Sequence, residues 1–248
     1  MVRRLIRRGV VTGMAVLGLE VAYALLRPAP ILESFDPSGE YGDASKPPLR
    51  VAVVGDSSVH APGVERADQI WVSLICQRLA ENHHVTLRSF AVGGSKAHDL
   101  LNGQMASAIA FAPNVVIVSV GANDVLKGVR RRTFALNLDR LIKTLTASTD
   151  AVIIQSGVGV LGTIPRLFPP LSQLVSRRAD RFDKVHWRVA ESYGSTVINQ
   201  RLDDAAAWQS DRTLWALDAF HVSPAGHARW ADIAWKTIGP LLNGDRSA

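Results

Sequence analysis

The sequence predicts an α/β domain, a three-layer sandwich around a parallel sheet of about five strands. Three observations predict it. From Leu49 onward, short runs rich in β-branched residues alternate with longer stretches of helical spacing. Runs such as Val115-Val116-Ile117-Val118 are apolar at every position, which suits strands covered on both faces. Strands separated by helices imply right-handed crossovers, and therefore parallel pairing.

Taken in order, the strand-like runs are Val51–Val54, Val85–Val92, Val115–Val120, Ala151–Gln155 and Thr196–Asn199. Helical spacing falls at about 67–82, 97–111, 133–148, 171–193 and 224–242. The folded domain is expected over residues 49–244. Ahead of it, residues 27–48 contain five prolines and no periodic apolar pattern, which reads as a semi-extended linker. Residues 1–26 are different again. A basic stub, Arg3, Arg4, Arg7 and Arg8, precedes a run from Gly9 to Leu26 that is apolar except for Thr12 and Glu20. As a helix that run would extend about 27 Å, close to one bilayer core. It reads as a membrane anchor or as a signal peptide, with Ala22-Tyr23-Ala24 as an A-x-A cleavage site; the alternative to export is an amphipathic helix packed on the domain. Glu20 argues against a simple anchor, because an acid deep in a span is costly. Both export readings place the domain outside the cytoplasm, in the cell envelope or secreted, with membrane contact only through this segment.

Composition excludes several classes. With 248 residues, 47% hydrophobic and 20% charged, the chain can bury a sizeable core and is not disordered. A single cysteine, Cys76, makes neither an internal disulfide nor a cysteine metal site. Much of the formal charge of +6 sits in residues 1–30, which carry five arginines against one glutamate. A nucleic-acid binder should instead carry a basic face on its folded body. The one candidate, Arg130-Arg131-Arg132, reads as a solvated helix start, so nucleic acid is not an expected partner.

Ligand sites of parallel sheets lie beyond the carboxyl ends of the strands. Four such places carry chemistry here. The first strand runs into Gly55-Asp56-Ser57-Ser58, where a tight turn can present a serine hydroxyl; alone, this is also an ordinary turn. The second is followed by Val92-Gly93-Gly94-Ser95, whose glycines permit close backbone approach to a ligand. The third ends in Gly121-Ala122-Asn123-Asp124, where the asparagine offers a neutral N–H₂ donor for a developing oxyanion. Downstream, Asp218-Ala219-Phe220-His221 precedes the last helix, a spacing that lets a carboxylate hold an imidazole in one tautomer. His60, His83, His84, His98, His186 and His227 lack such context and read as surface or structural residues.

In this order, the four blocks resemble those of the SGNH (GDSL-type) hydrolases, a family of serine esterases and lipases. The resemblance spans about residues 50–243. It implies a flavodoxin-like sheet of order 2-1-3-4-5 and ester hydrolysis without cofactor or metal. By motif, it makes Ser57 the nucleophile, His221 the base and Asp218 its orienting acid. It assigns the oxyanion hole to the Ser57 N–H, the Gly94 N–H and the Asn123 side chain. Two departures stand out: Ser58 replaces the leucine of the family's name, and Gly93 beside Gly94 leaves the second block ambiguous by one position.

A competing motif, Gly157-Val158-Gly159-Val160-Leu161-Gly162, fits G-x-G-x-x-G. It follows the fourth strand rather than the first, and Pro165 interrupts any helix, so it does not read as a dinucleotide site. The segment Gly157 to Leu171 reads instead as a loop beside the serine, with Ile164, Leu167 and Phe168 as candidates for an acyl pocket. The expected function is an exported serine hydrolase cleaving small-molecule, lipid or glycan esters through an acyl-enzyme. Acyl transfer or deacetylation on envelope glycans is the alternative within enzymes. An inactive binding module is the alternative outside them.

One outcome separates the two adjacent serines. A fluorophosphonate probe, followed by peptide mapping, should label Ser57 and leave Ser58 unmodified.

Overall fold

The two apolar faces of the central strands decide the architecture. A computed structural model describes residues 2–200 and 205–243; Met1 and the expected domain end at Gly244 lie outside the described residues. The parallel strands are β2 (Pro48–Gly55), β3 (His84–Ser89), β4 (Val115–Ser119), β5 (Val152–Ser156) and β6 (Thr196–Ile198). Successive side chains point to opposite faces. Val51 and Val53 therefore enter one core with Ile117, Ile154 and Ile198, while Ala52 and Val54 enter the other with Val116, Val118 and Ile153.

The first core is covered by α3 (Trp71–Leu79) and α10 (Pro224–Asn243), the second by α4 (Ala97–Gly103), α5 (Met105–Ala110), α7 (Arg131–Ser148) and α8 (Leu171–Tyr193). The buried residues of α7 are Phe134, Leu138, Leu141, Ile142 and Leu145, the stripe a half-buried helix requires. Each such fully buried side chain contributes about 1.5–3 kcal/mol. Arg130, Arg131 and Arg132 sit exposed at the start of α7, as expected of a solvated charge run.

The sheet has six strands in the order β1-β3-β2-β4-β5-β6. Five of them are the expected parallel set in the expected order. The sixth, β1 (Gly39–Tyr41), pairs antiparallel to β3 and comes from the segment read as linker. A three-residue edge strand is too short to leave a periodic signature. The helix expected at 97–111 is divided at Gln104, whose side chain is withdrawn into the core to bind Gly55.

The N-terminal segment forms α1 (Val2–Leu26). Among the described residues, no helix is long and apolar enough to cross a membrane. Glu20, the acid within the apolar run, has a specific partner: its Oε2 accepts the N–H of Leu171, the first residue of α8, at 3.0 Å. Tyr23 meets Phe168 edge to face at 5.7 Å. Arg166 reaches the same segment, donating to the carbonyls of Ala24, Arg27 and Pro28 at 3.3, 2.9 and 3.1 Å.

Two buried histidines, His186 and His227, are structural. His186 lies between Gln155 Oε1 at 2.9 Å and the Val120 carbonyl at 3.2 Å, tying α8 to β5 and the end of β4. Burial lowers its pKa to about 4. Burial, and then the charge of His221, lowers that of His227 to about 3. Both rings stay neutral in the folded protein, whereas the unfolded chain protonates them below about pH 6.5. Unfolding therefore takes up protons, and stability is full above about pH 6.5 and declines as pH falls towards 4. For His186 this window corresponds to roughly 3 kcal/mol. Urea midpoints should fall steadily from about pH 6.5 to about pH 4.5, and His186→Gln should reduce the slope by about one proton.

Candidate active site

The carboxyl ends of four adjacent strands lie in one row. Gly55, Ser119, Ser156 and Ile198 are register partners across β2, β4, β5 and β6. Immediately beyond this row is a cleft of about 110 Å³. Its walls include Asp56 and Ser57 after β2, Asn123 after β4, Gly157 to Leu161 after β5, Gln200 after β6, and His221 from the downstream loop. Residues as distant in sequence as Asp56 and His221 are thus brought to one edge of the sheet.

Ser57 begins the short helix α2 (Ser57–His60), for which Asp56 is the N-cap. The Asp56 Oδ1 accepts the Ser58 N–H at 2.9 Å. Gly55 is required just before it, because a Cβ there would stand 2.6 Å from the Ser119 carbonyl oxygen. Gln104 fixes the same glycine from the other side, accepting its N–H at 2.8 Å and donating to its carbonyl at 2.9 Å. Ser58 also lines the cleft, and its hydroxyl contacts the Ser119 hydroxyl at 2.7 Å.

Asn123 lies in α6 (Ala122–Leu126), entered through Gly121 at φ 120°. A side chain at Gly121 would be strained by that φ and would also stand 2.8 Å from Val158. The Asn123 Nδ2 donates to Asp56 Oδ2 at 3.0 Å. One of its two N–H groups is thereby fixed, which orients the other. Burial pushes the Asp56 carboxyl up, against hydrogen bonds from Ser58 and Asn123 that pull it down. Next to Asn123, burial raises Asp124 to about 6, with the Ala97 N–H bound to its Oδ2 at 3.0 Å.

Asp218 and His221 meet as their spacing requires. The His221 Nδ1 lies 2.5 Å from Asp218 Oδ2. The other carboxylate oxygen accepts the backbone N–H groups of Phe220 and His221, each at 2.9 Å. Ala219 adopts a left-handed φ of 56° to close this turn. Burial raises the Asp218 carboxyl, but the hydrogen bonds outweigh it, and the net pKa is lowered. The carboxylate thus stays charged to below the usual carboxylate range.

Gly94 is placed differently. It occupies a turn with φ 78°, its carbonyl accepts the Lys127 ammonium at 2.8 Å, and it is not among the residues lining the cleft. Phe168 is also outside the cleft, packed on Tyr23, and the apolar wall is made instead by Val158, Val160, Leu161 and Ile164. Four tryptophans that sequence reasoning did not select, Trp71, Trp208, Trp215 and Trp230, complete the lining. Among the described residues, no group of three or more His, Cys, Asp or Glu side chains is placed to hold a metal.

The chain is similar to known proteins in sequence and in fold. The model of the GDSL-like Lipase/Acylhydrolase family matches residues 53–229. Esterase TesA of Pseudomonas aeruginosa is 25% identical over 191 residues, covering 77% of this chain and 88% of that protein. Among solved structures, the psychrotrophic esterase EstA from Pseudoalteromonas sp., inhibited by monoethylphosphonate, matches at TM-score 0.63 and 21% identity. That match covers 79% of this chain and 99% of EstA. A catalytic mutant of Axe2, an acetylxylan esterase from Geobacillus stearothermophilus, also matches at TM-score 0.63 with 18% identity, covering 80% and 95% of the two chains.

The dual role of Asp56, as helix cap and as anchor for Asn123, is measurable. Asp56→Ala should lower stability by about 1–3 kcal/mol, from the lost cap and the unpaired amide. Ser58→Ala, which loses a single hydroxyl contact, should cost about 1 kcal/mol or less by the same urea titration.

Proposed function

The chain belongs to the GDSL-like lipase/acylhydrolase family and is a carboxylic ester hydrolase; on that premise we propose that it works through an acyl-enzyme on Ser57 and acts after export. The observation that carries the mechanism is the Asp218–His221 pair at 2.5 Å, opening on the same cleft as Ser57. With its Nδ1 proton held by Asp218, the ring presents Nε2 as base. The Ser57 hydroxyl attacks the ester carbonyl as His221 takes its proton. The resulting oxyanion is held by the Ser57 N–H, free at the first position of α2, and by the second N–H of Asn123. The Gly94 N–H is proposed as the third donor, in the turn whose carbonyl accepts Lys127. Collapse expels the alcohol, protonated by His221, and leaves the acyl group on Ser57. Water then attacks with His221 again as base, and the acid departs.

Export is supported by the basic stub followed by the apolar run of α1. The substrate's acyl group is supported by the apolar wall of Val158, Val160, Leu161 and Ile164. A second reading, acetyl esters on glycans, draws on the four tryptophans, since flat aromatic surfaces also stack sugars, and on the acetylxylan esterase fold match.

Assays on p-nitrophenyl esters of graded chain length test both. Activity should vanish in Ser57→Ala. Asn123→Ala should lower kcat by about 10²–10³ with little change in KM. If the apolar wall binds the chain, kcat/KM should rise by up to about fourfold per CH₂, the equivalent of about 0.8 kcal/mol, until the cleft is full. A profile peaking at acetyl would favour the glycan reading.

A further inference from the structure

The cleft ends in a polar group that the chemistry at Ser57 does not use. Gln200, immediately beyond β6, lines the cleft and is only 7% exposed, yet its Oε1 has no hydrogen-bond partner among the described residues. Its Nε2 donates to the Ser156 hydroxyl at 3.2 Å, and that hydroxyl in turn points to the Gly157 carbonyl at 3.4 Å. One Nε2–H is thus committed, while the buried Oε1 is left as an acceptor without a partner among the described residues. A buried acceptor of this kind is complemented by a donor arriving from the cleft, and a hydroxyl can reproduce what water supplies to it whereas a methylene cannot. An ammonium is not the matching ligand. The carboxylate lining the cleft is that of Asp56, at the opposite, serine end.

The sheet supplies a ruler. Ser57 follows β2, and the amide of Gln200 is drawn back to the end of β5, two strands away across β4. Two strand spacings are roughly 10 Å. Extended chain advances about 1.2 Å per bond, so this is the reach of about eight chain atoms. Between the two ends the wall is Val158, Val160, Leu161 and Ile164.

We propose that Gln200, braced by Ser156, is a specificity subsite that accepts a hydrogen bond from a hydroxyl at the far end of the substrate's acyl chain, about eight atoms from the scissile carbonyl. The proposal rests on the acyl-enzyme reading above. The test compares p-nitrophenyl 8-hydroxyoctanoate with p-nitrophenyl octanoate on the full chain. A purely apolar cleft would favour the octanoate, because the hydroxyl would lose its water. The subsite predicts the reverse, a kcat/KM at least about fivefold higher for the hydroxylated ester. Gln200→Leu should invert the ratio, and Gln200→Met provides the same comparison should the leucine variant fail to fold. Equal rates for the two octanoates, or a preference that survives both substitutions, would overturn the subsite. So would a hydroxyl preference found only on the alcohol side, for example with acetylated xylose against cyclohexyl acetate. If no ester is hydrolysed in a Ser57-dependent manner, the acyl-enzyme reading falls, and the subsite with it.

Discussion

The Asp56 carboxylate, buried at the end of β2, is shared between the Ser58 N–H and the Asn123 amide. Through the first contact it starts α2 and so sets where Ser57 stands. Through the second it fixes a side chain delivered by β4. Gln104 secures the residue before it, holding both polar groups of Gly55 from the break between two helices. The Asp56–Asn123 bond requires β2 and β4 to be paired in register, so the sheet, rather than any one loop, brings these two side chains together. Burial raises the energy of the Asp56 charge, and the two donors offset that cost.

The downstream loop solves a separate problem. His221 must be held without help from regular structure, and the loop does this by local means. Asp218 spends one oxygen on the backbone of its own turn and the other on the ring. The antiparallel bridge between Trp215 and Val222 closes the loop at its base. His227, a few residues on, accepts the Trp71 backbone N–H at 3.4 Å and so belongs to the packing of α3 against α10. Two histidines six residues apart thus have unlike environments, one half open to the cleft and one fully buried.

Much of this was legible in the residues. Continuous β-branched runs marked the parallel strands; strand ends carried Ser57 and Asn123, and the loop before the last helix carried the Asp218–His221 pair. What was not legible depended on contacts across the fold. The edge strand β1 has three residues and no pattern of its own; it exists because β3 offers it a partner. Gln104 looked like one more residue of a helix, and only its bond to Gly55 explains the break. Gly94 was chosen by its place after a strand, and the hold of Lys127 on its carbonyl could not be read from that position. Phe168 was the largest apolar residue of its loop, and its partner proved to be Tyr23, more than a hundred positions earlier. An Asp before a Ser is also the N-cap signature of a helix, and that signal would have singled out Asp56.

Arg166 gives the N-terminal segment a bearing on the chemistry. Its Nε donates to the Asp218 carbonyl at 2.7 Å, while its other nitrogens hold the carbonyls of Ala24, Arg27 and Pro28. A single guanidinium therefore joins the N-terminal segment to the loop that carries His221. Cutting after Ala24 would free the Glu20 and Tyr23 contacts but leave the Arg27 and Pro28 carbonyls in place.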